Sequence, residues 1–290
     1  MAQQLLVTDV FLRDGLQDEP AVVTIEDRIE IAYQLEAAGI QRMEVGSFVN
    51  PKRVPQMAGA EEIVARLLGD PAFQPTITSL ALNSKGVDRA IEAADHTVQI
   101  VLSASEEHSK ANAGQSVDEA LGGLLSSIQQ HPEVKFFAGI STAFRCPFEG
   151  DIPAERLVRI VEKLAQVGVT TIGLADTIGT TEPDFLVDSL DTVMTRFPEA
   201  EYSLHLHNAH GRALESVDLA IERGVAMFDA AIGGFGGCPF APGAAGNLST
   251  TELVHHLHRQ GLETGIDEEK LEAVTRTSIE TVNASAKVLA

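Results

Sequence analysis

Glu36-Ala-Ala-Gly-Ile40 runs into Met43-Glu-Val45, and this short stretch decides the fold. The same phrase returns as Ala165-Gln-Val-Gly-Val169 before Ile172-Gly-Leu174, and as Ile221-Glu-Arg-Gly-Val225 before Met227-Phe-Asp-Ala230. Each reads as the end of an amphipathic helix, a glycine that stops it, and an apolar strand that begins at once. Glycine suits the stop because it enters the left-handed region without a Cβ penalty. The phrase is a recurring supersecondary unit and not a strict sequence repeat.

Working outward, short apolar runs predict strands at Leu5–Val10, Arg42–Val45, Thr76–Leu82, Thr97–Leu102, Lys135–Ser141, Thr170–Ala175, Tyr202–His207 and Ala226–Ala231. Helical patterns fall between them: Ile25–Ala38 with Thr24 as N-cap and Gly39 as stop, then Pro55–Leu68, Lys85–Ala94 and Ser116–Gln130. Pro153–Val167, Pro183–Arg196, Arg212–Arg223 and Thr250–Gln260 continue the alternation. This predicts an α/β fold, a (β/α)8 TIM barrel. The main rival, a doubly wound open sheet, usually shows a Gly-rich phosphate loop after its first strand, and Phe11–Gln17 does not look like one. Asp267–Leu289 is expected to add a C-terminal helix on the outside. No linker or low-complexity stretch interrupts the chain, so residues 1–290 read as one domain.

Of the 290 residues 44% are hydrophobic, enough for a substantial core. A formal net charge of −21 argues against nucleic-acid and anionic membrane partners. No window reaches the ~18 consecutive apolar residues of a membrane span, and Met1–Val10 lacks the pattern of a secretory leader. Two cysteines, Cys146 and Cys238, make no disulfide framework. A cytoplasmic protein is expected.

In a TIM barrel the active site gathers at the C-terminal ends of the strands. The polar residues predicted there form a coherent set: Arg13, Asp14 and Gln17 after the first strand, Glu44 and Ser47 at the second, Asp176 and Thr177 at the sixth, and His205 and His207 at the seventh. A Gly-rich loop from Gly233 to Gly246 follows the eighth, holding Cys238 and leading to Asn247. Residues two apart on a strand share a face, so His205 and His207 can meet one metal ion. Asp14 is a natural third ligand and Asn247 a fourth; mixed nitrogen and oxygen donors suit Mg2+ or Mn2+, with Zn2+ as the alternative. Arg13 offers a cation to an enolate. Glu44, a carboxylate among apolar neighbours, calls for a partner such as Arg13. Cys238, flanked by glycine, fits a thiol that acts as acid or base. Cys146 ranks second to it. His210, Lys110, Asn83 and Lys85 are weaker candidates, and Lys52 and Arg53 are either solvated or placed for CoA phosphates. The cluster at His255, His256 and His258 is given no function.

Together these segments resemble the 3-hydroxy-3-methylglutaryl-CoA lyase family of the metal-dependent DRE-TIM lyases. The resemblance rests on Arg13-Asp-Gly-Leu-Gln-Asp-Glu19, Glu44-Val-Gly-Ser-Phe-Val-Asn-Pro-Lys-Arg-Val-Pro-Gln-Met57, Asp176-Thr-Ile-Gly179, His205-Leu-His207 and Gly236-Gly-Cys-Pro-Phe-Ala-Pro-Gly-Ala-Ala-Gly-Asn247, in the family's order. It implies a divalent metal on Asp14, His205, His207 and Asn247, a catalytic Arg13, a loop cysteine at Cys238 and supporting carboxylates at Glu44 and Asp176. It implies substrate contacts from Arg13, Gln17, Ser47 and Thr177. The implied reaction is a retro-Claisen cleavage of 3-hydroxy-3-methylglutaryl-CoA, or a close analogue, to acetyl-CoA and acetoacetate, with either His205 or Asp14 taking part as base; the alternatives are a lyase for another 3-hydroxyacyl-CoA, such as a citramalyl-CoA-like or longer branched one, and a Claisen-type synthase of the same superfamily. A homodimer or higher oligomer and a place in leucine degradation are expected by the same likeness. Two departures stand out. The family's His-x-His-Asp-Thr-Tyr-Gly-Gln is here His205-Leu-His-Asn208-Ala-His210-Gly-Arg212, and Phe11-Leu12 replaces a Gly-Pro before the arginine. Both are expected to border the mouth and to bear on which acyl group is accepted.

Overall fold

Each copy of the recurring phrase closes its helix as expected. After Ala38, Gly39 N–H donates to Glu36 O at 2.8 Å and Ile40 N–H to Leu35 O at 3.0 Å, with Gly39 at φ 97°. This paired arrangement is the Schellman turn. Gly168 and Gly224 repeat it, with Val169 N–H reaching Leu164 O and Val225 N–H reaching Ala220 O. The chain therefore leaves each helix already turned toward the next strand. The computed structural model describes residues 4–94, 96–237 and 246–288.

The strands are β1 (Leu6–Asp9), β2 (Arg42–Ser47), β3 (Thr76–Ala81), β4 (Thr97–Ser103), β5 (Phe136–Ser141), β6 (Thr171–Asp176), β7 (Glu201–Leu206) and β8 (Met227–Ala230). They pair in parallel, in chain order, and β8 closes on β1 to complete a barrel. The surrounding helices are α1 (Ile25–Ala37), α2 (Ala60–Gly69), α3 (Ser84–Ala93), α4 (Glu106–Ala113), α5 (Val117–Gln130), α6 (Ala154–Gln166), α7 (Pro183–Arg196), α8 (Ala213–Glu222), α9 (Thr250–Arg259) and α10 (Glu268–Val288). The last packs against α1 and α9. The TIM barrel and its extra C-terminal helix are thus as the sequence predicts. No helix among the described residues is long and apolar enough to cross a membrane.

Four local features depart from the sequence reading. The segment read as one helix from Pro55 breaks at Gly59, whose φ of 79° ends a short 3-10 turn before α2 begins. The helix α4 and a small hairpin of Arg145–Cys146 with Gly150–Asp151 lie where loops are expected. Phe11–Gly15 forms a π-helical turn in which Gly15 N–H reaches Val10 O at 3.2 Å. Such turns occur often at functional sites because they redirect side chains at a strand end.

Candidate active site

The π turn aims Arg13 and Asp14 across the mouth of the barrel. Phe11 and Leu12 are buried and anchor it, and the Phe11 ring meets Phe235 edge-on with centroids 5.3 Å apart. Asp9, at the end of β1, fastens it from below. Its carboxylate accepts Phe11 N–H at 3.0 Å, Ile232 N–H at 3.0 Å and the Thr250 hydroxyl at 2.6 Å. Burial pushes the Asp9 carboxyl up to about 6 in spite of these three donors. Arg28, 1% exposed, ties the π turn to β2 from α1: it donates to Leu12 O at 3.2 Å and Val45 O at 2.9 Å, the residues just before Arg13 and just after Glu44. It also donates to Gln56 O and Ala58 O, and burial lowers it to about 10.

Arg13 donates through Nε to Glu44 Oε2 at 2.7 Å and through Nη1 to Asp14 Oδ1. The pairing expected between Arg13 and Glu44 is present. Burial works against the Arg13 charge, and Asp14 and Glu44 more than offset it, so Arg13 stays a cation. Burial raises the Glu44 carboxyl to about 7 against the pull of Arg13, and Glu44 Oε1 has no hydrogen-bond partner among the described residues. Asp14 behaves oppositely. Burial favours its neutral form, but Arg13, His205, His207 and an Asn247 hydrogen bond hold it well below the usual carboxylate range.

On the other side of Asp14 stand the two imidazoles. Asp14 Oδ2 is 3.9 Å from both His205 Nε2 and His207 Nε2, and one ligand atom from each of the three residues falls within a 4.8 Å cluster. The segment Gly246–Ser249 lies beside the end of β7, with Leu248 N–H on Leu206 O at 2.8 Å and a backbone bridge between His207 and Asn247. It delivers Asn247, whose Nδ2 donates to Asp14 Oδ2 at 2.6 Å and to Phe235 O at 2.8 Å. Its Oδ1 is buried without a partner among the described residues. A carboxylate, two imidazoles and an orphaned amide oxygen fit a divalent metal, whose ligands are commonly such oxygen and nitrogen donors. Gly236, at φ 96°, completes the enclosure: a Cβ there would lie 2.4 Å from Asn247 Nδ2 and 2.9 Å from Asp14 Oδ2.

A cleft opens above these groups at the mouth of the barrel. Gln17 and Thr177 line it with Arg13, Asp14, His205 and His207. Thr177 Oγ1 accepts Thr142 N–H at 2.7 Å. Glu44 and Ser47 are buried behind the wall. Asp176 turns away: its carboxylate accepts the Thr181 hydroxyl at 2.7 Å and Thr181 N–H at 3.0 Å, and so shapes the turn after β6. Cys238 lies outside the described residues. Cys146 is buried, with its thiol on Ser105 Oγ at 2.9 Å. Asn83 caps α3, Lys110 pairs with Glu107, and Lys52, Arg53, Lys85 and His210 are exposed. The three histidines of α9 face carboxylates, His255 and His258 on Glu268 and His256 on Asp218. Asn208, expected to border the mouth, instead accepts Ala213 N–H at 3.1 Å and steadies the start of α8.

Four residues escaped the sequence reading. Asp229 on β8 sits in register with His205 and places Oδ2 3.4 Å from His205 Nδ1. Burial works against a charged His205, and Asp229 with Asp14 more than offsets it, so the His205 pKa is raised. A carboxylate behind a ligating imidazole fixes which ring nitrogen faces the metal. Asp9, Arg28 and a buried His108 in the cleft wall complete the group. For Asp229 the signal was available: an acidic residue inside an apolar strand, as for Glu44.

The fold and this cluster define a TIM-barrel enzyme with a metal-type acid–imidazole centre at the C-terminal mouth. The HMGL-like family model matches residues 4–277, and the chain belongs to that family. Among its relatives is the hydroxymethylglutaryl-CoA lyase of Bacillus subtilis, 34% identical over 93% of this chain and 90% of that protein. The (R)-citramalyl-CoA lyase of Chloroflexus aurantiacus is 38% identical over 91% of this chain and 87% of the other. The solved structure of an HMG-CoA lyase from Acinetobacter baumannii, in complex with coenzyme A and 3-methylmalate, superposes with a TM-score of 0.91 at 37% identity. That match covers 97% of this chain and 92% of the other. These relatives are carbon–carbon lyases, and the chain is an enzyme of that class.

Proposed function

We propose that residues 1–290 act as one catalytic unit, a divalent-metal-dependent lyase that cleaves 3-hydroxy-3-methylglutaryl-CoA to acetyl-CoA and acetoacetate. The observation that carries this reading is the convergence of Asp14, His205 and His207 with the orphaned Asn247 Oδ1 beside a buried arginine. These four residues would hold Mg2+ or Mn2+, with Zn2+ as the alternative. When bound, such an ion supplies Lewis acidity that lowers the pKa of the substrate's tertiary hydroxyl.

The chain's own groups account for the rest. Arg13 is held by two carboxylates, so its remaining N–H groups are aimed without the need to reorganise. They would stabilise the thioester enolate oxygen as the C2–C3 bond breaks. Glu44 and Asp14 position this cation. Asp14 is too acidic to be a good base. His205 would take the hydroxyl proton on Nε2 only while that nitrogen is off the ion, its Nδ1 staying on Asp229. Gln17 and Thr177 would contact the acyl group, and Ser47 and Asp176 support the walls. Cys238 would return a proton to the enolate carbon, a role argued from its place in the Gly-rich loop.

A second reading has support of its own. The citramalyl-CoA lyase is 38% identical, and the 37% identical structure holds 3-methylmalate, a shorter hydroxydiacid. A citramalyl-CoA-like substrate would yield acetyl-CoA and pyruvate by the same bond cleavage. The test is product release from both thioesters with Mg2+ or Mn2+, against an EDTA control. Metal-dependent acetyl-CoA with acetoacetate supports the first reading, and acetyl-CoA with pyruvate alone supports the second. Release of neither, with metal bound, would refute both.

A further inference from the structure

A glutamine inside β4 has no part in the chemistry proposed above. The strand reads Thr97-Val-Gln-Ile-Val-Leu-Ser103, and Gln99 and Val101, two apart, both line the cleft. Gln99 is 7% exposed. Among the described residues neither end of its amide has a hydrogen-bond partner. An amide buried in this way costs free energy until something pairs with it. Whichever way it is turned, the amide offers that partner a donor and an acceptor.

The wall beside Gln99 is cut back. Gly139 on β5 and Gly173 on β6 stand in register, and both line the cleft. A Cβ on Gly139 would lie 3.0 Å from Gln99 Nε2, so the missing side chain is what admits the amide. At Gly173 the floor is closed by Phe137, whose Cζ would lie 2.8 Å from a Cβ there. Two residues further along β6 is Ala175, in register with His205. Small residues therefore run from the His205 side of the cleft, past Ala175 and Gly173, to the amide over Gly139. That path crosses two strand spacings, ~10 Å. Leu80, Leu82, Val101 and Ile140 line the cleft around it, and β3, β4 and β5 bring no carboxylate or cation to the lining.

We infer that Gln99 selects the substituent at C3 of the acyl group and favours one that ends in an uncharged hydroxyl. The inference rests on the acyl-CoA lyase reading of the site. C3 of a 3-hydroxydiacyl thioester carries four groups. Its hydroxyl belongs at Asp14 and His205, and C2 leads to the thioester beside Arg13. The carboxylate arm belongs on that same charged side, because at Gln99 it would meet no cation. The fourth group is left with the β4 to β6 side. A methyl group stops short of the amide and gains nothing from it. An alkyl chain long enough to reach the amide seals it off unpaired, whereas a hydroxyl at the same depth pairs with it.

The test uses three pairs of 3-hydroxy-3-R-glutaryl-CoA thioesters. R is hydroxymethyl or ethyl, hydroxyethyl or propyl, and hydroxypropyl or butyl, so each pair exchanges one methyl for one hydroxyl at fixed length. In at least one pair, wild type should favour the hydroxyl member about tenfold in kcat/KM, carried by KM. Calorimetric binding of the same pairs in EDTA, a readout without turnover, should show the same order. Gln99→Met keeps the length of the side chain and removes both polar atoms. It should reverse the preference, since a hydroxyl is then the costlier group to desolvate. Gly139→Ala, which crowds the amide from β5, should shrink it. No hydroxyl preference in any pair, or one that survives Gln99→Met unchanged, would overturn the inference. Cleavage of the methyl thioester without such a preference leaves the lyase reading standing and this inference refuted. A preference in binding with no thioester cleaved does the reverse, and binding of none of the thioesters refutes both.

Discussion

The two halves of the barrel mouth differ in kind. On the β1, β2, β7 and β8 side stand Arg13, Asp14, Glu44, His205, His207 and Asp229, all but Asp14 and His205 under a tenth exposed. On the β3 to β6 side the cleft shows Leu80, Val101, Ile140, Ser141, Ala175 and Thr177 beside the polar Gln99, His108 and Asn112. Buried charges are costly unless paired and hydrogen-bonded. The charged half meets that demand with a scaffold of its own: the Arg13–Glu44 pair, the carbonyls held by Arg28, and Asp9 beneath the π turn. The other half carries no carboxylate or cation among these lining residues, and its hydroxyls are met by single hydrogen bonds, Thr177 Oγ1 accepting Thr142 N–H and Ser141 Oγ donating to Leu102 O. Placing charge where charge develops, and neutral surface where the substrate is sorted, predicts different kinetic signatures for substitutions in each half.

The largest effect should come from Arg13→Gln. If Arg13 faces the enolate as proposed, removing its charge should lower kcat by about 10^2- to 10^3-fold, with little change in KM. Steady-state kinetics check this, with circular dichroism to show the fold intact; a kcat within threefold of wild type would remove Arg13 from the chemistry. Arg28→Met should instead act on stability. It keeps the volume but strips four carbonyl oxygens of their donor, and should cost about 3–5 kcal/mol in denaturant unfolding. If unfolding were unchanged while activity fell, Arg28 would belong to the chemistry and the division between scaffold and site would blur.

A pH experiment tests the same scaffold. The Asp9 carboxyl is raised by burial from 3.8 to about 6. The folded state therefore holds the proton more tightly than the unfolded chain. The resulting stabilisation is full below pH 4 and is lost as pH rises to about 6, amounting to roughly 3 kcal/mol at ~1.4 kcal/mol per pH unit. Asp14, held low, contributes with the opposite sign, its share lost only in strong acid. Unfolding free energies of wild type and Asp9→Asn between pH 4 and 7 isolate the first contribution. A wild-type slope over that interval no different from that of the variant would show that Asp9 is not the source.

The fold was legible because its rules are local. Schellman glycines at Gly39, Gly168 and Gly224 and short apolar runs fixed helix ends and strands without reference to distant residues. The metal-type cluster was legible because polar residues at predicted strand ends have one place to go in a barrel. What stayed hidden depends on contacts between remote segments. Arg28 looks like a solvated residue of an amphipathic helix until Leu12 and Val45 supply its carbonyls. His108 follows Ser105-Glu-Glu and reads as a polar helix start; its burial requires Ser103 and Thr142. Asp176 was placed at the mouth correctly along the chain, but its side-chain direction is set by Thr181. Asn208 looked like an altered wall and proved to be a brace for α8.

The smallest predicted effect lies on the border between the halves. Ala175 lines the cleft on β6 and is in register with His205 on β7, so it faces the charged half from the neutral one. On the proposed reading, its short side chain leaves room beside the imidazole for what projects from the substrate's C3. Ala175→Val adds two methyl groups there without adding charge. One methylene of misfit in an apolar pocket is worth about 1–3 kcal/mol of discrimination, roughly tenfold at the lower end. Substrates with a C3 substituent longer than methyl should lose about tenfold in kcat/KM, mainly through KM, while the methyl substrate changes less than threefold. Competition between the methyl thioester and a longer 3-alkyl homologue measures this ratio directly. An equal loss for both, carried by kcat, would mean that the added bulk disturbs His205, and that the border between sorting and chemistry lies further toward β5 than Ala175.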